Sequence, residues 1–128
     1  MPLSQLHGVD AVAACRDAAS VVDADALVLR ANPVSDVLDP SGAARLAGMR
    51  DVITRVATSL DIPVLVGESG HGIGRKTAAA LAGTGVAGID TAARGGPPRE
   101  TGQRTDDPVM DRVIAEFRDW GLSTAESI

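Results

Sequence analysis

The segment Gly70–Thr77, with the sequence GHGIGRKT, has the residue types of a loop that holds an anion. It follows an apolar run and precedes an alanine-rich helical pattern, the place where parallel α/β folds bind phosphate on backbone N–H groups. A Walker A loop requires Gly-Lys-Ser/Thr, and a dinucleotide fingerprint requires glycine where this chain has Arg75. Two interpretations stay open: an anion site, or a tight turn followed by two solvated cations.

A second polar cluster follows the apolar run ALVL and contains Asn32, Ser35 and Asp36. Polar groups at the carboxyl end of a parallel strand are favoured site positions. The amide of Asn32 could orient a ligand, and the carboxylate of Asp36 could bind Mg²⁺. The same residue types cap helices, so a helix-entry turn is the competing interpretation.

A third candidate lies in the tract 93–107, which is rich in Gly, Pro, Arg and Thr. The pair Gly95 and Gly96 would let a ligand approach the backbone. Pro97 and Pro98 have no N–H to donate, which disfavours a phosphate cradle built from amides. The tract is either a ligand loop after a strand or a mobile surface loop.

The remaining composition excludes several classes of function. The net charge of −5 and two aromatic residues, Phe117 and Trp120, give no nucleic-acid surface. Clusters of Cys and His are absent, which excludes a structural zinc, and the single Cys15 allows no internal disulfide. No apolar run reaches the length of a membrane span, and the N-terminus lacks a signal-peptide pattern. These features predict a cytoplasmic protein.

Alternating apolar runs and helical patterns predict the scaffold. Continuous apolar runs without alternation are typical of strands covered on both faces of a parallel sheet. The predicted strands lie near 26–30, 63–67 and 85–90, and the predicted helices at 9–22, 41–60, 75–82 and from 107 onward.

This order predicts an α/β fold of parallel βαβ units, in which the polar ends of the strands meet at one edge. Three strands leave two open sheet edges, so we expect either pairing between copies or a partner chain that completes the sheet. The last residues, 121–128, have the pattern of another βα unit that begins there.

Four segments in order resemble the FMN-dependent type 2 isopentenyl-diphosphate delta-isomerases. They are 24–33 (ADALVLRANP), 63–73 (PVLVGESGHGI), 85–90 with Gly95 and Gly96 (GVAGID and GG), and 117–125 (FRDWGLSTA). The resemblance covers nearly the whole chain. It implies that residues 1–128 form a single domain, part of a TIM (β/α)8 barrel.

The same resemblance implies an activity and a set of site residues. The activity is conversion of isopentenyl diphosphate to dimethylallyl diphosphate in isoprenoid biosynthesis, by a flavoprotein with FMN, Mg²⁺ and NADPH as reductant. The implied catalytic positions are Arg30, Asn32 and Ser35, and the metal position is Asp36. The implied FMN-binding positions are Gly67, Gly95, Gly96 and Pro97.

The chain departs from the family pattern at several of these positions. Arg30 stands where the family has histidine, Ser35 where it has glutamine, and Gly67 where it has lysine. An N-terminal Arg-Lys-x-x-His segment and a C-terminal Gly-Gly loop have no counterpart here. We therefore expect a central fragment or truncated relative with impaired activity. The alternatives are a non-catalytic module that oligomerises or completes a partner, and another enzyme that binds a prenyl diphosphate.

Overall fold

The computed structural model describes residues 1–38, 48–93, 107–117 and 119–127. A short 3₁₀ turn, Leu3–Leu6, precedes the first long helix. The strands are β1 (Leu27–Arg30), β2 (Val64–Gly67) and β3 (Gly88–Asp90). The helices are α1 (Ala11–Val21), α2 (Pro33–Leu38), α3 (Met49–Ser59), α4 (Arg75–Ala82), α5 (Pro108–Glu116) and α6 (Thr124–Ser127).

Two of the long helices begin at an aspartate whose side chain caps the first backbone N–H groups. The side chain of Asp10 accepts hydrogen bonds from the N–H groups of Val12 and Ala13 and so caps α1. Asp107 caps α5 in the same way, with Pro108 in the first turn. Part of the helix predicted at 41–60 lies outside the described residues, and α3 accounts for the rest.

The three strands form one parallel sheet in the order β1-β2-β3. Leu29 pairs with Val66, and the next position pairs Arg30 with Gly67. In the other pair, Gly67 lies opposite Asp90. The predicted parallel order is confirmed for these strands, and their carboxyl ends do meet at one edge.

The core lies between one face of the sheet and the helices α1, α3 and α4. The buried side chains of Leu29 on β1 and Val66 on β2 belong to one hydrophobic cluster with Cys15 of α1 and Val56 of α3. On the opposite face Val28 and Leu65 remain half-buried. The continuous apolar runs predicted strands with both faces covered, whereas the described helices of the core cover one.

The predicted partial TIM barrel is corrected to a small α/β domain with a three-stranded parallel sheet. The described strands form an open sheet that does not close on itself. The pattern misled because consecutive parallel strands joined by helices are a local arrangement that barrels share with open sheets. Closure depends on the number and stagger of strands, which a run of apolar residues does not encode.

Within the described ranges, which omit 39–47 and 94–106, every helix is too short or too polar to cross a bilayer.

Candidate functional site: the strand-end row and the Glu68 turn

Three residues in register at the strand ends form a row that crosses the sheet. Arg30, Gly67 and Asp90 are direct neighbours on β1, β2 and β3, so their side-chain positions share one face. The guanidinium Nη2 of Arg30 lies 3.6 Å from Oδ2 of Asp90. Arg30 therefore reaches over the middle strand to an acid on the far one.

Gly67 makes this crossing possible because it has no side chain. A Cβ atom there would lie 3.3 Å from both Cβ and Oδ2 of Asp90 and 3.5 Å from Cγ1 of Val28. Any larger side chain would occupy the space between Arg30 and Asp90. The row is thus an arginine and an aspartate with a gap between them.

The row is open to solvent and has one fixed anchor. The side chains of Arg30 and Asp90 are 43% and 49% exposed, so their ion pair is weak. Nη1 of Arg30 also donates to the carbonyl oxygen of Glu68 at 2.9 Å. The guanidinium carries five N–H donors in a planar fork, and it is positioned to present some of them to an anion at this edge.

The polar cluster after β1 forms the entry to α2. Oδ1 of Asn32 accepts a hydrogen bond from the N–H of Ser35 at 3.1 Å, which is helix-cap geometry. The Asn32 carbonyl oxygen accepts from the N–H of Asp36 at 2.9 Å. Ser35 is exposed, whereas Asp36 is buried. Of the two interpretations of this cluster, the helix-entry turn is the one that agrees with the observed position of the Asn32 side chain.

The turn that follows β2, residues 68–74, is organised by a buried carboxylate and is called the Glu68 turn below. Oε2 of Glu68 accepts from the N–H groups of Gly70 at 2.6 Å, of His71, and of Gly72 at 3.1 Å. Oε1 lies 3.3 Å from Nδ1 of His71. Glu68 and His71 are 4% and 3% exposed. The N–H groups proposed as a phosphate cradle already bind a carboxylate of this chain.

The C-terminal segment, residues 119–127, packs against the Glu68 turn. The N–H of Leu122 donates to the carbonyl oxygen of His71 at 2.8 Å. The indole of Trp120 lies over the imidazole of His71, with 5.3 Å between ring centroids. A cavity of about 490 Å³ lies here, with His71, Gly72, Trp120 and Leu122 among its lining residues.

Sequence reasoning missed Glu68 and Asp90 as organising residues. A usable signal for Glu68 was its position two residues before Gly70 and four before Gly72, both of which have positive φ. Such glycines turn successive N–H groups toward one point, where a nearby carboxylate can accept them. Asp90 carries no comparable local signal, because its partner Arg30 is 60 residues away along the chain.

Several predicted residues are not brought together by the described part of the chain. Gly95, Gly96 and Pro97 lie outside the described residues, so the third candidate loop has no structural account. The described residues hold no cluster of three or more His, Cys, Asp or Glu side chains suited to a metal ion. Cys15 is fully buried in the core, and this burial raises the pKa of its thiol.

A search against protein-family models finds no match. Curated proteins do match. A protein of Synechococcus named isopentenyl-diphosphate delta-isomerase is 39% identical over 107 residues, covering 82% of this chain and 31% of that protein. A protein of Nostoc with the same name is 33% identical over 128 residues, covering 98% of this chain and 36% of its own length. The chain is similar to isopentenyl-diphosphate delta-isomerases.

An archaeal protein of that name, from Methanothermobacter thermautotrophicus, is 36% identical over 112 residues, covering 86% of this chain and 31% of its own. The similarity thus extends across bacteria and archaea. The chain spans about a third of the length of these curated relatives.

The resemblance to FMN-dependent type 2 enzymes is corrected to a similarity to isopentenyl-diphosphate delta-isomerases. These relatives are named for the isomerase alone, without a type, a flavin or a nicotinamide cofactor. Of the four residues assigned to FMN, three lie outside the described residues, and Gly67 lies beneath the Arg30–Asp90 pair. FMN and NADPH therefore have no support from the relatives' names or from the described residues, and the expected fragment of an FMN-dependent barrel is wrong for the same reason.

Proposed function

We propose that this chain binds the diphosphate group of a prenyl diphosphate and takes part in isopentenyl-diphosphate delta-isomerisation. The observation that carries the proposal is Arg30, whose guanidinium is anchored on one side and exposed on the other. The similarity to proteins named for this reaction supports it. The reaction relocates a double bond by adding one proton and removing another, so substrate and product have the same composition.

Arg30 would act as the anion-binding residue. Guanidinium and phosphate oxygens form paired, charge-assisted hydrogen bonds. Asp90, at 3.6 Å, holds the guanidinium across Gly67 and would compete with an incoming anion. Because that ion pair is solvent-exposed, the competition is weak and a diphosphate with several charges would displace Asp90.

Asp36 would be the protein ligand of Mg²⁺, with Asn32 and Ser35 beside the bound substrate. Mg²⁺ is commonly held by one or two carboxylates, substrate phosphates and water. Asp36 provides a single carboxylate in the first turn of α2, only 8% of this residue is exposed, and the described residues provide no larger group. Mg²⁺ would therefore have to approach it from that exposed side. When bound, the ion would neutralise charge on the diphosphate.

Binding of a prenyl diphosphate without isomerisation is the second candidate, and it rests on the same exposed guanidinium of Arg30. The two candidates differ only in whether dimethylallyl diphosphate forms. Pairing between copies of the chain and a cytoplasmic location remain predictions.

The decisive experiment is calorimetric titration of the purified chain with inorganic pyrophosphate, with and without Mg²⁺. We expect Arg30→Ala to weaken binding by about tenfold or more, since charged hydrogen bonds contribute about 1.5–3 kcal/mol. Arg16→Ala is the matched control, because Arg16 donates to the carbonyl oxygen of Ser59 and lines a cavity away from the row.

Equal pyrophosphate affinity of the wild type and Arg30→Ala would refute the anion-binding role. Asp36→Asn should remove the enhancement of binding by Mg²⁺ and leave metal-free binding unchanged. Incubation with isopentenyl diphosphate then separates the two candidates: dimethylallyl diphosphate supports the isomerase, and binding without product supports the second candidate.

A further inference from the structure

We infer that Glu68 is a latch: its carboxylate serves as the internal anion of the turn at 70–72 and thereby holds the C-terminal segment, residues 119–127, against that turn. The inference does not depend on the proposed isomerase activity. It concerns what keeps one wall of the 490 Å³ cavity in place.

The first step of the argument is the cost of burying this carboxylate. Removing a charged group from water is unfavourable unless hydrogen bonds to the charged form replace the lost hydration. Glu68 is 4% exposed, and three backbone N–H groups converge on one of its oxygens. The same contacts give hydrogen-bond acceptors to the N–H groups of residues 70–72, which lie between β2 and α4 and take part in neither element. Carboxylate and turn therefore require each other.

The second step is the geometry of the turn. Gly70 and Gly72 have φ of +132° and +82°, which lets successive N–H groups point inward at the Glu68 carboxylate. Without an anion at that point the three N–H groups would lie close together with no hydrogen-bond acceptor, which is unfavourable. We therefore expect the conformation of the turn to depend on the Glu68 carboxylate rather than on the backbone preferences of residues 70–72.

The third step is that the C-terminal segment contacts this turn backbone to backbone. A Cβ atom on Gly121 would lie 2.7 Å from the carbonyl oxygen of His71, and one on Gly72 would lie 2.7 Å from Oγ of Ser127. Together with the hydrogen bond from Leu122 to His71, these contacts need the turn in its present shape. A displaced turn would lose them together.

The last step is the reporter that the chain provides. Trp120 is the single tryptophan, and its ring lies 5.3 Å from the ring of His71. It is 50% exposed and also packs edge-on against Phe117, with 5.8 Å between ring centroids, so release of the segment from His71 would expose part of the buried half. Its fluorescence therefore reports docking without any ligand or activity.

The test is Glu68→Ala with external acetate. The substitution leaves space for a small carboxylate and leaves three N–H donors to bind it. We expect acrylamide quenching of Trp120 to increase, with about twofold as the upper limit that full exposure of the half-exposed ring would give. Acetate should restore the wild-type quenching, and chloride at the same ionic strength should not.

Asp10→Ala is the matched control, since Asp10 also accepts from two backbone N–H groups but at the start of α1. It should leave Trp120 quenching unchanged and show no response to acetate. Far-UV circular dichroism establishes that each variant is folded.

The latch is overturned if folded Glu68→Ala quenches like the wild type, or if acetate and chloride act alike. Should Glu68→Ala fail to fold, Glu68→Gln retains the side-chain volume and removes the charge. An intermediate increase in quenching supports the latch, and wild-type quenching in Glu68→Gln overturns it.

Discussion

Asp90 and Glu68 are two carboxylates near the end of β2, and their different burial gives them different roles. Asp90 lies in the strand-end row, half exposed, with a loose contact to Arg30. Glu68 follows Gly67 directly in the chain but is buried, with its charge satisfied by the Glu68 turn. The exposed acid is free to exchange its partner for a ligand, whereas the buried acid is part of the scaffold.

The difference arises from the alternation of side chains at a strand end. Gly67 occupies the row between Arg30 and Asp90, so the next residue, Glu68, directs its side chain away from that row. The carboxyl end of the sheet thus has the solvent-exposed Arg30–Asp90 pair on one side and the buried Glu68 turn on the other. Substitutions in the pair and in the turn should therefore change the free energy of unfolding by different amounts.

The largest expected effect is at the contact between the Glu68 turn and the C-terminal segment. Gly121→Ala should lower the free energy of unfolding by about 3 kcal/mol, through positive-φ strain and a clash with the His71 backbone. Gly48→Ala is the control, because Gly48 also has positive φ but an added Cβ there would have no atom of the described residues within 4 Å, and it should lose only about 1 kcal/mol. Urea denaturation followed by circular dichroism measures both. Equal losses would show that the close contact contributes nothing.

The next effect compares the two acids directly. Glu68→Gln should lower the free energy of unfolding by about 2 kcal/mol, because charged hydrogen bonds to three buried N–H groups are weakened. Asp90→Asn should change it by less than about 0.5 kcal/mol, because its ion pair is exposed. Thermal and urea unfolding of the two variants provide the comparison. A loss at Asp90 as large as that at Glu68 would contradict the division into a solvated row and a structural turn.

A smaller effect should follow from filling the gap in the row. Gly67→Ala places a methyl group 3.3 Å from both Cβ and Oδ2 of Asp90. The half-exposed carboxylate can rotate away, whereas Cβ can yield only by a shift of a few tenths of an ångström at the strand ends. We expect a stability change within about 1 kcal/mol. The coupling between Arg30→Ala and Asp90→Ala in a double-mutant cycle should fall from about 0.5 kcal/mol to near zero. Coupling that survives in the Gly67→Ala background would mean that the pair does not cross Gly67.

The smallest effect at ordinary pH concerns Cys15, whose thiol is fully buried in the core. Burial raises the pKa of this thiol, and the positive N-terminal amine partly opposes the shift. Stability from the neutral thiol is complete below the unfolded-state pKa of about 8.5 and declines as pH rises toward the folded-state value, by under about 1 kcal/mol at pH 9. Cys15→Ala should remove this decline between pH 8 and 9. An unchanged slope would show that another group titrates.

The predictions from sequence succeeded where the relevant interactions are local. The apolar runs that became β1 and β2 and the proline-initiated helix α5 were placed within a few residues, because strand and helix patterns repeat over short windows. For the glycine-rich segment two interpretations were left open, an anion site and a tight turn. The structure shows a turn whose N–H groups bind the chain's own Glu68 carboxylate.

The sequence by itself determined that three apolar runs alternate with helices and that their ends are polar. Those features follow from residue type and periodicity alone. Only the tertiary structure decided that Arg30 faces Asp90 over Gly67, that His71 lies under Trp120, and that the sheet is open. Pairings between distant residues depend on strand register and on which face each side chain takes, and neither is written in a local pattern.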